Sequence, residues 1–125
     1  MYKVIIAGSR DFDKYEYLRY CCDKILKGIQ PSQIEIVSGT ARGADKLGEK
    51  YAKEKGFKLK RMPAEWKKFG KSAGFKRNAE MAIYGTHLIA FWDGKSRGTK
   101  NMINIARKNQ VVVKVVEYKK LSIDL

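Results

Sequence analysis

Strand-like and helix-like segments alternate along this 125-residue sequence, and this alternation restricts the possible folds more than any other feature. Short apolar runs are separated by segments in which apolar residues recur at helical spacing. The predicted strands are 4–7, 34–37, 57–62, 87–92 and 111–116. The predicted helices are 13–28, 44–56, 75–84 and a last one that begins at Thr99. This pattern is typical of an α/β fold in which helices cover both faces of a parallel sheet.

Two ends of the predicted helices carry recognisable capping signals. Asp13 with Glu16 three residues later is typical of a helix N-terminus, and Gly28 is predicted to close the same helix.

Residues 63–74 are less regular and are predicted to form a functional loop. Residues 117–125 are predicted to be a surface extension. Residues 1–125 together fit a single domain.

The connections between the strands favour one topology. Right-handed crossovers between parallel strands lead to a five-stranded sheet of order 3-2-1-4-5 in a Rossmann-like domain. The third strand alternates apolar and basic residues, so it is expected at an edge, whereas the very apolar strand 87–92 is expected near the centre. The order reverses between the first and fourth strands. A ligand crevice is predicted there, at their C-terminal ends.

Three loops rich in small residues follow the first, second and fourth strands and meet at this edge. Glycine lets backbone N–H groups approach an anion closely, and the helices that follow direct their positive ends to the same place. Arg10, Arg42 and Arg97 add guanidinium donors that suit phosphate. The sequence therefore predicts a site for a phosphate-bearing nucleotide. The predicted ligand-binding residues of the loops are Gly8, Ser9, Arg10, Ser38, Gly39, Thr40, Arg42, Gly43, Asp45, Asp93, Gly94, Ser96, Gly98 and Thr99.

Several common site types do not fit the sequence. The Walker motif and the G-x-G-x-x-G fingerprint are absent, which argues against an ordinary ATPase or an NAD-dependent dehydrogenase. A single histidine and the adjacent Cys21 and Cys22 offer no credible zinc site, so no metal is expected. The serines have no histidine at a spacing that suggests a catalytic triad. A nucleotide ligand is the only small molecule that the sequence predicts.

The net charge of +14 favours anionic partners. Nucleotides, nucleic acid and acidic protein surfaces all fit, and a lysine-rich solvated surface explains the same excess. No apolar stretch approaches the roughly 18 residues that a membrane span requires, and no secretion signal is recognised. We therefore expect a cytoplasmic protein without a membrane partner.

A set of motifs spread along the chain is specific in combination. These motifs are Gly8-Ser9-Arg10-Asp11-Phe12, Val37-Ser38-Gly39, Ala41-Arg42-Gly43-Ala44-Asp45, Glu65-Trp66, Gly70, Ala73-Gly74, Arg77-Asn78, Glu80-Met81 and Ser96-Arg97-Gly98-Thr99. From Lys3 to about Val116 the chain resembles the YpsA-related small proteins of the SLOG superfamily. The resemblance implies a Rossmann-like fold with a site for a nucleotide or nucleotide derivative. It also implies that Arg77 and Asn78 face this site and that the protein self-associates as a homo-oligomer.

The superfamily also includes the Lonely-guy phosphoribohydrolases, and the comparison with them bears on catalysis. These enzymes use an arginine in a helix that resembles the segment around Arg77. They also use a glutamate three residues after a Gly-Thr pair, where this chain has Met102 after Gly98-Thr99. Carboxylates assist cleavage of glycosidic bonds, so this departure argues against hydrolysis. Arg77 and Glu80 are the catalytic candidates if a reaction occurs, and Asp45 is another carboxylate that could substitute.

Three functions therefore stay open at this point. The first is a nucleotide-binding protein that acts as a sensor, carrier or sequestering protein. The second is a phosphoribohydrolase-like enzyme. The third is a binder of single-stranded nucleic acid. The net charge suggests this function, and the DNA-processing protein A family, which belongs to the same superfamily, offers an analogy for it. Trp66 either stacks on a base or covers the edge of the sheet, and it completes the set of predicted ligand-binding residues.

Overall fold

A five-stranded, all-parallel sheet forms the centre of the protein in a computed structural model that describes residues 1–119. The strand order is β3-β2-β1-β4-β5, which confirms the predicted topology. The strands are β1 (Tyr2–Gly8), β2 (Ile34–Ser38), β3 (Lys58–Arg61), β4 (His87–Trp92) and β5 (Val112–Glu117). β3 lies at an edge and β4 lies inside the sheet, both as expected. In the register of the sheet, Val4 of β1 lies opposite Ile36 of β2 and His87 of β4.

Five α-helices connect the strands within the described residues. They are α1 (Tyr15–Ile25), α2 (Ala44–Lys55), α3 (Trp66–Phe69), α4 (Ala73–Tyr84) and α5 (Arg97–Lys108). Short 3₁₀ turns occupy Pro31–Gln33 and Gly70–Ser72. α2 ends at Gly56, as predicted, because this glycine adopts the left-handed conformation with φ of 72°.

The sheet divides the core into two layers, and β1 shows why. Side chains of a strand point alternately to opposite faces. Val4 and Ile6 pack in the same cluster as residues of α1 and α2, whereas Ile5 and Ala7 pack with residues of α4 and α5. Both layers are buried, which explains why residues 4–7 of β1 are all apolar.

The first and last long helices begin at places that differ from the prediction. Lys14 occupies the N-cap position of α1 and makes no side-chain capping hydrogen bond. Asp13 is therefore not the cap of this helix. It also ends at Ile25, before Gly28, which instead takes a positive φ in the turn that follows. α5 begins at Arg97 rather than at Thr99, because the Ser96 side chain caps it.

Two segments without predicted regular structure are more ordered than expected. The segment 63–74 contains α3, a 3₁₀ turn and the start of α4, so it is a loop only in part. Glu117 belongs to β5, and Tyr118 packs against Phe12 with ring centroids 4.8 Å apart. The surface extension predicted for 117–125 is therefore wrong for Glu117 and Tyr118, and its residues 120–125 lie outside the described part. Every helix within residues 1–119 is too short or too polar to span a bilayer.

The cap of α5 gives a first prediction. The Ser96 Oγ accepts a hydrogen bond from the Thr99 N–H at 3.3 Å, and it lies 3.0 Å from the Thr99 hydroxyl. Replacing Ser96 with alanine removes this cap and is expected to lower the free energy of unfolding by about 1 kcal/mol. Ser96→Thr keeps a hydroxyl at the same position and is expected to retain most of the stability. Urea unfolding of the three proteins tests this, and equal stability of Ser96→Ala and the wild type would contradict it.

Candidate functional site

A cavity of about 470 Å³ lies at the C-terminal ends of β1 and β4, where the strand order reverses. We call it the switch-point cavity. The loops after β1 and β4, the N-terminal ends of α2 and α5, and α4 all contribute to its wall. The predicted site residues that line it are Gly8, Ser9, Arg10, Arg42, Asp45, Trp66, Arg77, Asn78, Asp93, Ser96, Gly98 and Thr99. Residues far apart in the sequence thus surround one space, as the strand order implies.

A second cavity of about 560 Å³ adjoins the first, and we call it the side cavity. Gly39 and Thr40, two further predicted site residues, line the side cavity together with Ala64. The remaining lining residues belong to both cavities: Arg10, Ala41, Arg42, Trp66 and Arg77. Three guanidinium groups and one indole ring therefore stand on the boundary between the two spaces.

Four of the predicted site residues line neither cavity. Ser38 is buried beneath the loop, where its hydroxyl donates to Glu49 at 2.7 Å and accepts from the Thr40 N–H at 3.0 Å. Gly43 lies against the carbonyl oxygens of Ser9 and Arg10. Gly94 forms the turn after β4, with φ of 82°. Glu80 is exposed on α4. Ser38 and Gly43 thus shape the loops and do not face either space.

The Arg77 side chain is held by the loop after β2. Its Nη1 donates to the carbonyl oxygen of Gly39, and its Nε donates to the Asn78 Oδ1 at 3.1 Å. Gly39 leaves room for this contact, because a Cβ there would lie 2.7 Å from Nη1 and 2.8 Å from the Asp45 Oδ2. Burial lowers the pKa of Arg77, and the neighbouring Asp45 opposes that effect. Arg77 is therefore partly a structural residue of the site.

Asp45 is a buried carboxylate in the first turn of α2, only 4% exposed. Its Oδ2 accepts a hydrogen bond from the Ala41 N–H at 3.2 Å. Burial raises the pKa of Asp45 to about 6, although Arg77 and the Ala41 N–H favour the charged form. A carboxyl group with this pKa changes its protonation close to neutral pH, and it lines the switch-point cavity.

The turn after β4 is held by the Asp93 carboxylate. Its Oδ1 accepts hydrogen bonds from the N–H groups of Lys95 and Ser96, both at 2.8 Å. Burial raises the pKa of Asp93, but these backbone hydrogen bonds outweigh it, and the net result is a pKa below the ordinary value. The Ser9 hydroxyl also lowers this pKa, although it reaches no full hydrogen-bond geometry with any described residue. Asp93 is therefore ionised at neutral pH.

Asn78 joins the two helices that border the cavity. The buried Asn78 Nδ2 donates to the Gly98 carbonyl oxygen at 3.3 Å and to the Asn101 Oδ1 at 2.9 Å. Its Oδ1 accepts from Arg77 on the same helix. Asn78 thus connects the arginine on α4 with the first turn of α5.

Among residues 1–119, no group of three or more His, Cys, Asp and Glu side chains is placed to hold a metal ion.

Two half-exposed aromatic rings stand at the cavity. Trp66 and Phe75 are each 51% exposed and both line the switch-point cavity. The edge of the indole ring lies 3.4 Å from the Cβ position of Gly74, so only a small residue fits beneath it. Exposure on this scale does not fit a residue that simply covers the edge of the sheet. Phe69, in contrast, lies between Lys68 and Lys76, with ammonium groups 5.1 Å and 4.8 Å from its ring centroid.

The sequence interpretation missed some residues of the cavity. Phe75, Asp11 and Gly74 line it although none was proposed as a ligand-binding residue. Lys71 also lines the cavity. Its place among the basic residues before α4 is the sequence feature that could have indicated this. Arg97 is exposed and lines neither cavity, so the third guanidinium group comes from Arg77 instead. Met102, the residue that the resemblance aligns with a glutamate of the Lonely-guy enzymes, is 1% exposed and lines the cavity.

Comparisons with known proteins agree with this architecture. The family model described as the YspA, cpYpsA-related SLOG family matches residues 2–69, which include β1, β2, β3 and the loops after the first two. The chain is also 32% identical over 120 residues to the Gene 61 protein of Mycobacterium phage D29, an alignment that covers 90% of this chain and 94% of that protein. No solved structure matches the chain. The matched residues and the parallel sheet lead to one conclusion, that the chain belongs to the YspA, cpYpsA-related SLOG family.

Proposed function

We propose that the switch-point cavity binds a nucleotide or a nucleotide-derived ligand, with its phosphate at the arginines on the boundary with the side cavity. The observation that carries this proposal is the convergence of Arg10, Arg42 and Arg77 on one space at the reversal of strand order. Guanidinium groups bind phosphate through paired, charge-assisted hydrogen bonds. Membership of a SLOG family is consistent with a nucleotide-related role.

The distribution of charge in the cavity suggests how the ligand lies. The switch-point cavity carries carboxylates as well as cations, among them Asp45 and Asp93. Carboxylates repel phosphate but accept hydrogen bonds from ribose hydroxyl groups and from base N–H groups. The nucleoside therefore fits the part of the cavity near Asp93, and the phosphate fits the boundary. The N-terminal ends of α2 and α5 add positive potential at the same edge.

The size and the aromatic lining support the same assignment. A volume of about 470 Å³ falls within the range of small-molecule sites in proteins. Trp66 and Phe75 offer exposed ring faces, and base stacking on such a face contributes about 1–3 kcal/mol per base. A nucleotide can contact the arginines, the carboxylates and the aromatic rings together, whereas inorganic phosphate can contact only the arginines.

Binding without hydrolysis is the favoured form of this function. Met102 offers no carboxylate where the Lonely-guy enzymes have a glutamate, and Glu80 lies on the exposed side of α4. Asp45 is the carboxylate of the cavity that could assist a reaction, and at neutral pH it is held beside Arg77. Release of free base and ribose phosphate from a nucleotide would favour the enzymatic alternative instead. The expected self-association and cytoplasmic location stay predictions.

The binding test uses Arg10, which is exposed and lines both cavities. Isothermal titration calorimetry with AMP, GMP, CMP and UMP is expected to identify at least one ligand. Arg10→Ala is expected to weaken its affinity about 10- to 100-fold, as loss of a charge-assisted contact does. Arg107→Ala makes the same change in net charge in the last turn of α5 and is expected to leave the affinity unchanged.

Each outcome of this test has a defined meaning. If neither the panel nor any larger nucleotide binds, and no nucleotide is released from the purified protein for mass spectrometry, the proposal is wrong. If Arg10→Ala and Arg107→Ala weaken binding equally, the ligand responds to the overall charge and not to the cavity. If single-stranded DNA of ten nucleotides binds much more tightly than any mononucleotide at physiological salt, the nucleic-acid alternative replaces the proposal.

A further inference from the structure

We infer that the ligand is a dinucleotide, in which two nucleosides are joined through phosphate, with one nucleoside in each cavity and the phosphate at the arginine boundary. This inference rests on the proposed function and deepens it. The geometric observation is that the two cavities share a wall. Arg10, Arg42 and Arg77 contact both spaces, so a phosphate held by them has room on either side.

The sizes of the two spaces favour a ligand with two units. The side cavity, at about 560 Å³, is no smaller than the switch-point cavity at about 470 Å³. Each falls in the range of small-molecule sites, so each accommodates a group as large as a nucleoside. A mononucleotide in the switch-point cavity would leave the side cavity filled only with water.

The two cavities differ in charge. The side cavity is lined by three arginines and, among the described residues, by no acidic side chain, whereas Asp45 and Asp93 line the switch-point cavity. A bridging phosphate is therefore attracted to the shared arginines and is kept from the interior of the switch-point cavity. The charge places the anionic part of the ligand in the middle and its uncharged parts at the two ends.

Apolar surface is available on both sides of the boundary. Trp66 contacts both cavities and is half exposed, while Phe75 contacts only the switch-point cavity and Ala64 only the side cavity. A base in the switch-point cavity can stack on Phe75. A base in the side cavity can lie against Trp66 and Ala64. The asymmetry predicts that Phe75 and Ala64 affect different halves of the same ligand.

The test compares four adenosine compounds by isothermal titration calorimetry. They are AMP, ATP, a 3′–5′ linked adenosine dinucleotide without a terminal phosphate, and diadenosine 5′,5′-diphosphate, and the guanosine compounds are titrated in parallel. One of the two dinucleotides is expected to bind at least about tenfold more tightly than the mononucleotide and the triphosphate, because its second half binds intramolecularly. Comparison of the two dinucleotides distinguishes a phosphodiester from a pyrophosphate bridge.

Two substitutions assign the halves. Ala64→Leu fills part of the side cavity and is expected to remove most of the gain of the dinucleotide, while the affinity for the mononucleotide stays the same. Phe75→Ala is expected to weaken both ligands about equally. Ala79→Leu makes the same replacement at a half-buried position of α4 that lines neither cavity, and it controls for general effects on stability. Thermal unfolding verifies that each variant is folded.

The inference fails in two ways that leave the proposed function intact. In the first, the dinucleotides bind no more tightly than the mononucleotide. In the second, ATP matches the better dinucleotide, which would mean that the side cavity holds only phosphate. If affinity instead continues to rise from the dinucleotide to an oligonucleotide of ten residues, the nucleic-acid alternative replaces both the inference and the proposed function. If no nucleotide of any kind binds, the proposed function itself is wrong and this inference with it.

Discussion

Replacing Gly43 with alanine is expected to lower the free energy of unfolding by about 3 kcal/mol or more. Gly43 precedes α2 with φ of 84° and ψ of −130°, a backbone conformation that residues with a side chain rarely adopt. A Cβ at this position would also lie 2.4 Å from the Ser9 carbonyl oxygen and 2.5 Å from that of Arg10. Both neighbours are backbone atoms, so the loops after β1 and β2 would have to separate.

The matched control for this prediction is Gly56→Ala at the other end of α2. Gly56 also has a positive φ, of 72°, but a Cβ there would meet nothing within 4 Å. Its replacement is expected to lower stability by about 1 kcal/mol, since only backbone strain contributes. Urea unfolding of both variants isolates the steric contribution at Gly43. A similar loss for both would show that the loops after β1 and β2 can separate at little cost.

Replacing Asp45 with asparagine is expected to stabilise the protein at pH 7.5 by up to about 3 kcal/mol. Burial raises the pKa of Asp45 from 3.8 to about 6 in the folded state, and the nearby Glu49 adds to this rise. Arg77, the Ala41 N–H and Arg10 oppose it without reversing it. The native state therefore holds a charged carboxyl group at pH 7.5 that would be more favourable in the unfolded chain. Asparagine keeps an oxygen acceptor for the Ala41 N–H without this charge.

The predicted effect of Asp45→Asn has a definite pH dependence. Because the folded pKa lies above the unfolded one, the contribution of Asp45 to stability is complete below about pH 4 and is lost as the pH rises through about 6. The two proteins should thus be nearly equal in stability at pH 4 and diverge towards pH 7.5. Urea unfolding at several pH values measures this difference.

Asp23→Asn is a control of opposite sign. Burial raises the pKa of Asp23, but hydrogen bonds with Lys55 and Tyr51 lower it below its ordinary value. The contribution of Asp23 is therefore present at neutral pH and lost as the pH falls, so Asp23→Asn should destabilise the protein most at pH 7.5. If Asp45→Asn also destabilised the protein most at pH 7.5, the ion pair between Asp45 and Arg77 would be favourable. The assignment of a raised pKa to Asp45 would then be wrong.

The fold could be predicted because its strands carry strong local signals. β1, β2 and β4 are apolar runs, and handedness then restricts the order in which parallel strands can lie. The ends of the helices were harder to predict, because the capping signal is ambiguous. Asp13 has the right chemistry for a cap of α1, yet Lys14 takes that position without a side-chain hydrogen bond. Ser96 caps α5 two residues before the predicted start.

The site could be predicted only in part, and the reason is geometric. Parallel strands bring the loops after β1 and β4 together, so Ser9, Arg10 and Asp93 followed from the topology. Phe75 did not, because its exposure depends on how α4 is rotated against the sheet. Ala64, between β3 and α3, also lines the side cavity, and no local sequence pattern indicates its position. Arg77 was predicted from the family resemblance alone and lines both cavities.

The position of β3 at the edge of the sheet has a consequence for how the protein behaves at high concentration. An open strand edge exposes unpaired backbone groups to which a strand from another molecule can add. β3 is only four residues long, and both Lys58 and Lys60 are exposed on it. An incoming strand would have to approach these two ammonium groups on a chain of net charge +14. The short, basic β3 therefore disfavours sheet-to-sheet aggregation at this edge.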